Sequence, residues 1–467
     1  MNEMRANNIL HGLDCPWTNL VTLTRHERPV WEEKVCPHPV LVPENLTKEL
    51  EEFHQALALA ITSIIERWGG PSDSSKSLAA LMPLMCQEED LINWLHKITK
   101  EGHLPLFRAR AGHWRPDILL SVHKELGLSF HICEINARFI SMMMVSTFQM
   151  ARSLASKTTN VPGIKVLSPD VLAATFRSMF EPNVPLHFVR NRHQPSDADP
   201  MLAWLEAWTG THVRVITPAN LCLVPDWTSF TGYRLCAATA SSDGQVLEQV
   251  HQAALDLYQD ELRSMDSDIL RHLALCSIND MREIFLLADK RILGIILHEL
   301  DDLVHKHEIL TLQQAKTLQE HIVPTILPGS AELYQLINDC EAEKVTKDEY
   351  IVKACRNGAS ENIFFGDEYS LREWNALLTE LKDPRVYPDK LQFVIQPNIR
   401  SELTIFLDEK HGLCDVHLVG LYHSFKGNFS HLGHWRVSPN NRLCSEEQGG
   451  VVYVLPSVTE LVSDDQD

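Results

Sequence analysis

The hydrophobic period of this 467-residue chain changes near residue 115, and that change limits the folds open to it. Upstream, Leu46, Leu50, Phe53, Leu57, Ile61 and Ile64 recur at helical spacing until Gly69-Gly70-Pro71 interrupts them, and the spacing resumes from Leu91 to Ile98. Downstream, Ile118 to Leu120 and Phe130 to Ile135 read as two strands joined by the polar turn Ser121 to Gly127. Residues 163 to 237 alternate short apolar runs (165–167, 186–189, 212–216) with helical stretches such as Met201 to Trp208, the texture of a βαβ layer. Residues 245 to 345 read as helical again, through Leu255, Leu262, Leu270, Leu273 and the run Ile292 to Leu300. Tyr350 to Leu455 is strand-rich, with a hairpin expected from Val416–Tyr422 through Lys426-Gly427-Asn428 to Gly433–Val437. The class is therefore α+β, in five regions: a helical N-terminal region (1–105), a strand pair with an acidic motif (106–160), an α/β substrate domain (161–255), a helical connector (256–345) and a strand-rich, nucleotide-binding-like lobe (346–467).

With 44% hydrophobic and 22% charged residues the chain can bury a sizeable core, so disorder as the main state is excluded. The net charge of −20 argues against nonspecific binding to DNA or to an anionic membrane, and leaves room only for a local basic patch from Arg108, Arg110, His113, Arg115 and Arg190–His193. No apolar run reaches the roughly 18 residues a membrane span needs. The segment Met1–Gly12 lacks the apolar core of a secretory signal. Eleven scattered cysteines without a CxxC read as the reduced thiols of a cytoplasmic protein, not as a disulfide framework or a zinc site.

Four groups of residues could carry chemistry. In the first, Arg115-Pro116-Asp117 precedes Glu134-Ile135-Asn136. On a strand, Phe130, Ile132, Glu134 and Asn136 share one face, so an apolar face ends in a carboxylate and an amide. Burying them calls for a counter-ion: Asp117 could join them around Mg²⁺, which takes oxygen ligands. Arg115 could hold a carboxylate or phosphate. A salt bridge from Glu134 to Arg115 or Arg138 is the plainer alternative. In the second group, Lys353 sits inside the apolar strand Tyr350-Ile351-Val352-Lys353 and is costly to bury without an anion. The loop after it, with Gly358 as its one glycine, could offer backbone N–H groups to a phosphate, although an edge lysine reaching solvent fits as well. In the third, Asp289-Lys290-Arg291 opens an apolar helix, for which a solvated helix start is explanation enough. In the fourth, Gln396-Pro397-Asn398 ends an apolar strand where proline stops the ladder and could form a hinge between lobes. His417, His423, His431 and His434 read as structural, and no GxSxG, GxGxxG or Walker A pattern occurs.

Taken in this order, the four groups resemble the synthetase domain of glutathionylspermidine synthase, a circularly permuted ATP-grasp ligase. The resemblance covers short motifs from about 105 to 145 and 285 to 455. It implies a permuted ATP-grasp-like fold, with Arg115, Asp117 and Glu134 catalytic and Asp117, Glu134 and Asn136 holding magnesium. Lys290 and Lys353 would grip ATP, Gly358 and Asn362 would belong to the phosphate loop, and Gln396 would lie near the adenine hinge. The loop departs from that family, with Asn357 and Ser360 where it has glycines and Ala354 where it has proline. More weakly, the look of Phe130–Phe139 and Tyr350–Gly366 is similar to the fungal arginine-containing cyclodipeptide synthases, whose amino acids arrive on aminoacyl-tRNA.

The leading expectation is thus an enzyme joining an amino-acid or small-peptide carboxyl to an amine, with ATP and Mg²⁺, in fungal natural-product biosynthesis. A synthase that uses charged tRNA and no other cofactor is the first alternative. The second is a non-catalytic nucleotide-binding protein, disfavoured by the joint presence of Asp117, Glu134, Asn136, Lys290 and Lys353.

Overall fold

The computed structural model describes residues 39–68, 78–123, 127–139, 164–165, 167–191, 212–241, 244–358, 360–399, 403–406, 413–438, 442–444 and 452–459, with single residues in 144–152, 202 and 206. The Gly69-Gly70-Pro71 break, most of the Met201–Trp208 stretch and His193 lie outside the described residues. The expected leading helix runs over Glu44–Arg67, with Leu46, Leu50, Phe53, Leu57, Ile61 and Ile64 all buried on one stripe. Phe53 meets Phe130 edge-on at 5.5 Å, so this helix packs on the strand pair that follows. A second helix spans Cys86–Lys100.

The strand pair is His113–His123 with Gly127–Asn136, longer than the apolar runs alone indicate. It is one edge of a seven-stranded sheet whose backbone is the long strand Leu413–Phe425. The register sets Asp117 opposite Glu134 and Arg115 opposite Asn136, with a bulge between Asp117 and Ile118. Leu413–Phe425 turns into Asn428–Leu432 through Lys426 (φ 52°) and Gly427 (φ 76°), the left-handed pair that a two-residue hairpin loop needs. The expected partner of Val416–Tyr422 also pairs with it, as Trp435–Ser438 against His417–Val419; the strand Asn428–Leu432 between them was not expected.

The α/β layer is a parallel sheet of Gln252–Asp256, Leu186–Arg190 and Val213–Ile216. Here the reading of 245 onward as helix fails: Gly244–Gln249 and Gln252–Asp256 are strands, and Leu255 lies in the second. The run Ala253-Ala254-Leu255 is buried throughout and so carries no period to separate strand from helix. From Ser267 the connector is helical, as expected.

A fourth unit is the antiparallel sheet Ile363–Phe365, Tyr350–Ala354 and Phe393–Pro397. Helices Ala331–Glu341 and Leu371–Glu380 cover it around the fully buried Trp374. The second of these helices interrupts a region expected to be strands. Strands from Leu403 to Val454 join the 113–136 pair in the seven-stranded sheet and Pro456–Thr459 joins another, so the 346–467 region is divided between sheets. The molecule is mixed helix and sheet, and no helix among the described residues is long and apolar enough to cross a membrane.

Candidate active site

A small cleft of about 110 Å³ opens between the seven-stranded sheet and the Tyr350–Ala354 sheet. Asp117 and Glu134 line it from one side, and Lys353 with Asn357, Gly358 and Ser360 from the other. Lys290 enters from the head of helix Arg291–His305. Its Nζ lies 3.1 Å from Glu134 Oε2 and donates to the Asn357 carbonyl at 2.8 Å, while its backbone N–H donates to the Cys355 carbonyl at 3.0 Å. Lys290 therefore couples the acidic strand pair to the loop after Lys353. Glu134 is thereby paired with Lys290, whereas Arg138 bonds Gln259.

Lys290 keeps this position because its neighbours are buried. Asp289 takes Arg291 and Arg356, each at 2.7 Å, and Arg356 also reaches Glu88 at 2.7 Å. The solvated helix start expected for Asp289-Lys290-Arg291 is thus not what forms: all three residues are under 9% exposed and the charges are satisfied internally.

Asp117 and Glu134 titrate in opposite directions. Burial would raise Glu134, but the ammonium groups of Lys290 and Lys353 outweigh it and hold the carboxyl far below the usual range. Burial raises Asp117 despite Arg115 and Arg436, and neighbouring Glu134 adds to the rise. Burial opposes the charged form of Lys290, yet Glu134 beside it leaves the ammonium raised. Asn136 donates to both carboxylates at 3.3 Å.

The remaining expected residues fall less neatly. Arg115 is buried behind the cleft, 3.3 Å from Asp117, and its Nε and Nη1 have no hydrogen-bond acceptor among the described residues. Gly358 lines the cleft, but a Cβ there would meet nothing within 4 Å and its φ is not left-handed. Ser360 (φ 61°) and Asn362 (φ 55°) take that conformation instead, and Asn362 accepts from Ala354 N–H without lining the cleft. Gln396 is wholly buried and donates to the Cys133 carbonyl (3.1 Å) and Thr325 Oγ1 (3.0 Å). Asn398 and Ile399, two and three residues on, reach the cleft in its place.

Arg436 and Arg442, which the sequence does not single out, also line the cleft, as does His417, expected to be structural. Arg436 pairs with Asp117 from 319 residues away. Its only sequence signal is a cation set between the buried Trp435 and Val437, which alternation turns to the other face. Arg442 bonds Asp367 at 2.7 Å and lies over the Phe365 ring at 5.0 Å, joining the two walls at the mouth. Of the residues of the local basic patch, Arg108 pairs with Glu66 and Arg110 with Asp280, His113, Arg115 and Arg190 are buried, and residues 192–193 lie outside the described residues.

Asp117 and Glu134 face each other in register and offer carboxylate oxygens that suit a hard cation such as Mg²⁺, while Asn136 turns its amide N–H towards both and joins an all-oxygen set only with its amide flipped. The burial that raises Asp117 next to Glu134 is the strain such a cation relieves.

The chain is similar to known proteins over most of its length. Residues 53–286 match the family model described as the AnkG N-terminal domain. The "ATP-grasp enzyme ankG" of Aspergillus thermomutatus is 33% identical over 449 residues, covering 92% of this chain and 89% of that protein. In fold, the chain resembles the apo structure of a glutathione synthetase-like effector, GSS30, from Globodera pallida, with TM-score 0.55, 12% identity, and 91% and 90% of the two chains covered. This chain belongs to the ankG family of ATP-grasp enzymes.

Proposed function

We propose that the protein is an ATP-dependent carboxylate–amine ligase that joins an amino-acid or small-peptide carboxyl to an amine. The observation that carries this reading is the convergence of Lys290 and Lys353, 63 positions apart, over Glu134 in one cleft. The ankG relative supports ATP use and the glutathione synthetase-like neighbour supports the fold. In the reaction, a carboxylate oxygen attacks the γ-phosphorus of ATP and ADP leaves. The amine then attacks the acyl carbon of the resulting acyl phosphate, loses a proton and expels phosphate. Lys290 and Lys353 neutralise phosphate charge where water is excluded, and such preorganised donors act on the transition state. The buried guanidinium of Arg115, ion-paired with Asp117, supplies positive potential behind it. Asp117, Glu134 and Asn136 would hold Mg²⁺, which when bound neutralises phosphate oxygens.

The test measures ADP release and coupled product by mass spectrometry with ATP, magnesium and amino-acid mixtures. K353A and E134Q should each lower turnover about 10²- to 10³-fold while the far-UV spectrum stays unchanged. ATP turnover by K353A at the wild-type rate would remove Lys353 from the assignment. Product formation that is sensitive to RNase and independent of ATP would replace the ligase with the tRNA-dependent synthase.

A further inference from the structure

Two residues past Asn136, Arg138 leaves the acidic strand, so its Cα lies within about 7 Å of that of Asn136. It is held as few arginines are. Its guanidinium lies 4.3 Å from the Phe139 ring centre and 4.4 Å from that of Tyr258. One end donates to Gln259 Oε1 at 3.0 Å, and Gln259 is itself fixed by donating to the Ile284 carbonyl at 3.1 Å. The Nε–H is buried and has no acceptor among the described residues. An orphaned buried donor on a guanidinium costs free energy unless a ligand completes it. A flat, stacked guanidinium with an unpartnered Nε–H has the donor geometry to take a carboxylate side-on through two N–H groups.

The surroundings narrow the ligand further. Arg138 stands at the carboxyl ends of the parallel strands Leu186–Arg190 and Gln252–Asp256, where open α/β sheets place their ligands. Arg190 and Asp256 are partners in register at those ends, 3.5 Å apart. Asp256, Asp260 and Glu261 all act on Arg138 electrostatically. The local field is of mixed sign, which suits a zwitterion better than a simple anion.

We infer that Arg138 binds the carboxylate of a free α-amino acid substrate at the carboxyl ends of the parallel sheet, with Asp256 facing its ammonium group, beside the proposed ligase centre. The inference rests on the ligase reading for what the site serves, and on its own geometry for what it binds. Binding is measured on the full chain with Mg²⁺ and a non-hydrolysable ATP analogue, against each of the common L-amino acids. Every one that binds is repeated as its carboxamide and its N-acetyl derivative. At least one amino acid should bind, with its carboxamide and its N-acetyl form each weaker by about tenfold or more. R138Q should weaken the amino acid by a similar factor and R138K by less, both leaving the affinity for the analogue within about twofold. The inference is overturned if the analogue binds and no amino acid does, if the carboxamide binds as well as the acid, or if folded R138Q binds like wild type. Should R138Q fail to fold, the carboxamide comparison on the wild-type protein decides alone. If amino acids bind in the expected pattern but the analogue does not, the ligase reading falls and the amino-acid site stands.

Discussion

Glu283 shows how a single buried carboxyl can set a pH dependence. Burial pushes it up to about 8, against hydrogen bonds from the Gly112 N–H (2.7 Å) and Trp114 Nε1 (2.6 Å) that favour the charged form. In the unfolded chain it titrates near 4.5, so its stabilising contribution is whole below that pH and is lost progressively as pH rises to about 8. The buried imidazoles act in the opposite sense. Burial lowers His54 to about 4 and His431 and His434 to about 3, so stability present above 6.5 is lost as pH falls towards those values. The difference in Tm between wild type and E283Q isolates the glutamate from the histidines. Wild type should lose several degrees relative to E283Q between about pH 5 and 8. A difference that does not change with pH would show Glu283 to be ionised throughout. Nothing in the sequence marks this residue, because Gly112 and Trp114 reach it across about 170 positions.

At the scale of elements, the loop after Lys353 departs from what its composition suggests. The single glycine attracts attention, yet Asn362 holds the left-handed turn that returns the chain into strand Ile363–Phe365. Asparagine tolerates that conformation, and a residue with an ordinary side chain pays about 1–2 kcal/mol for it. G358A should therefore change unfolding free energy by less than about 0.5 kcal/mol, N362A should lose about 1 kcal/mol, and N362G should be close to neutral. Urea denaturation measures all three, and a larger loss in G358A than in N362A would reverse the assignment. The helix head at Lys290 is a second case. D289N removes the charge that Arg291 and Arg356 share, and should cost about 3–5 kcal/mol in the same assay because two buried guanidinium groups lose their counter-ion. Helix Leu371–Glu380 carries a short-range mark in the sequence: Ser370 and Glu373 form the reciprocal cap of a helix start.

Over the whole molecule, strand Val40–Pro43 lies parallel to Pro456–Thr459, so both ends of the described chain close on one small sheet. Val42 is 1% exposed there, and V42D should lower stability by about 3 kcal/mol or more, read as a fall in the denaturation midpoint. An unchanged midpoint would mean that this closure adds nothing to global stability. By itself the sequence determined what short-range geometry encodes: the leading helix through its apolar stripe, the acidic strand pair through alternation, the turn at Lys426-Gly427-Asn428, and the identity of Asp117, Glu134 and Lys353 as charges too costly to bury without partners. Only the tertiary structure decided who those partners are. Glu134 found Lys290 and Asp117 found Arg436, while Gln396 turned away from the cleft towards Cys133 and Thr325. Periodicity fixes the face on which a side chain lies but carries no information about which distant segment will cover that face. Pairing across hundreds of residues follows from the packing of whole sheets and helices against one another.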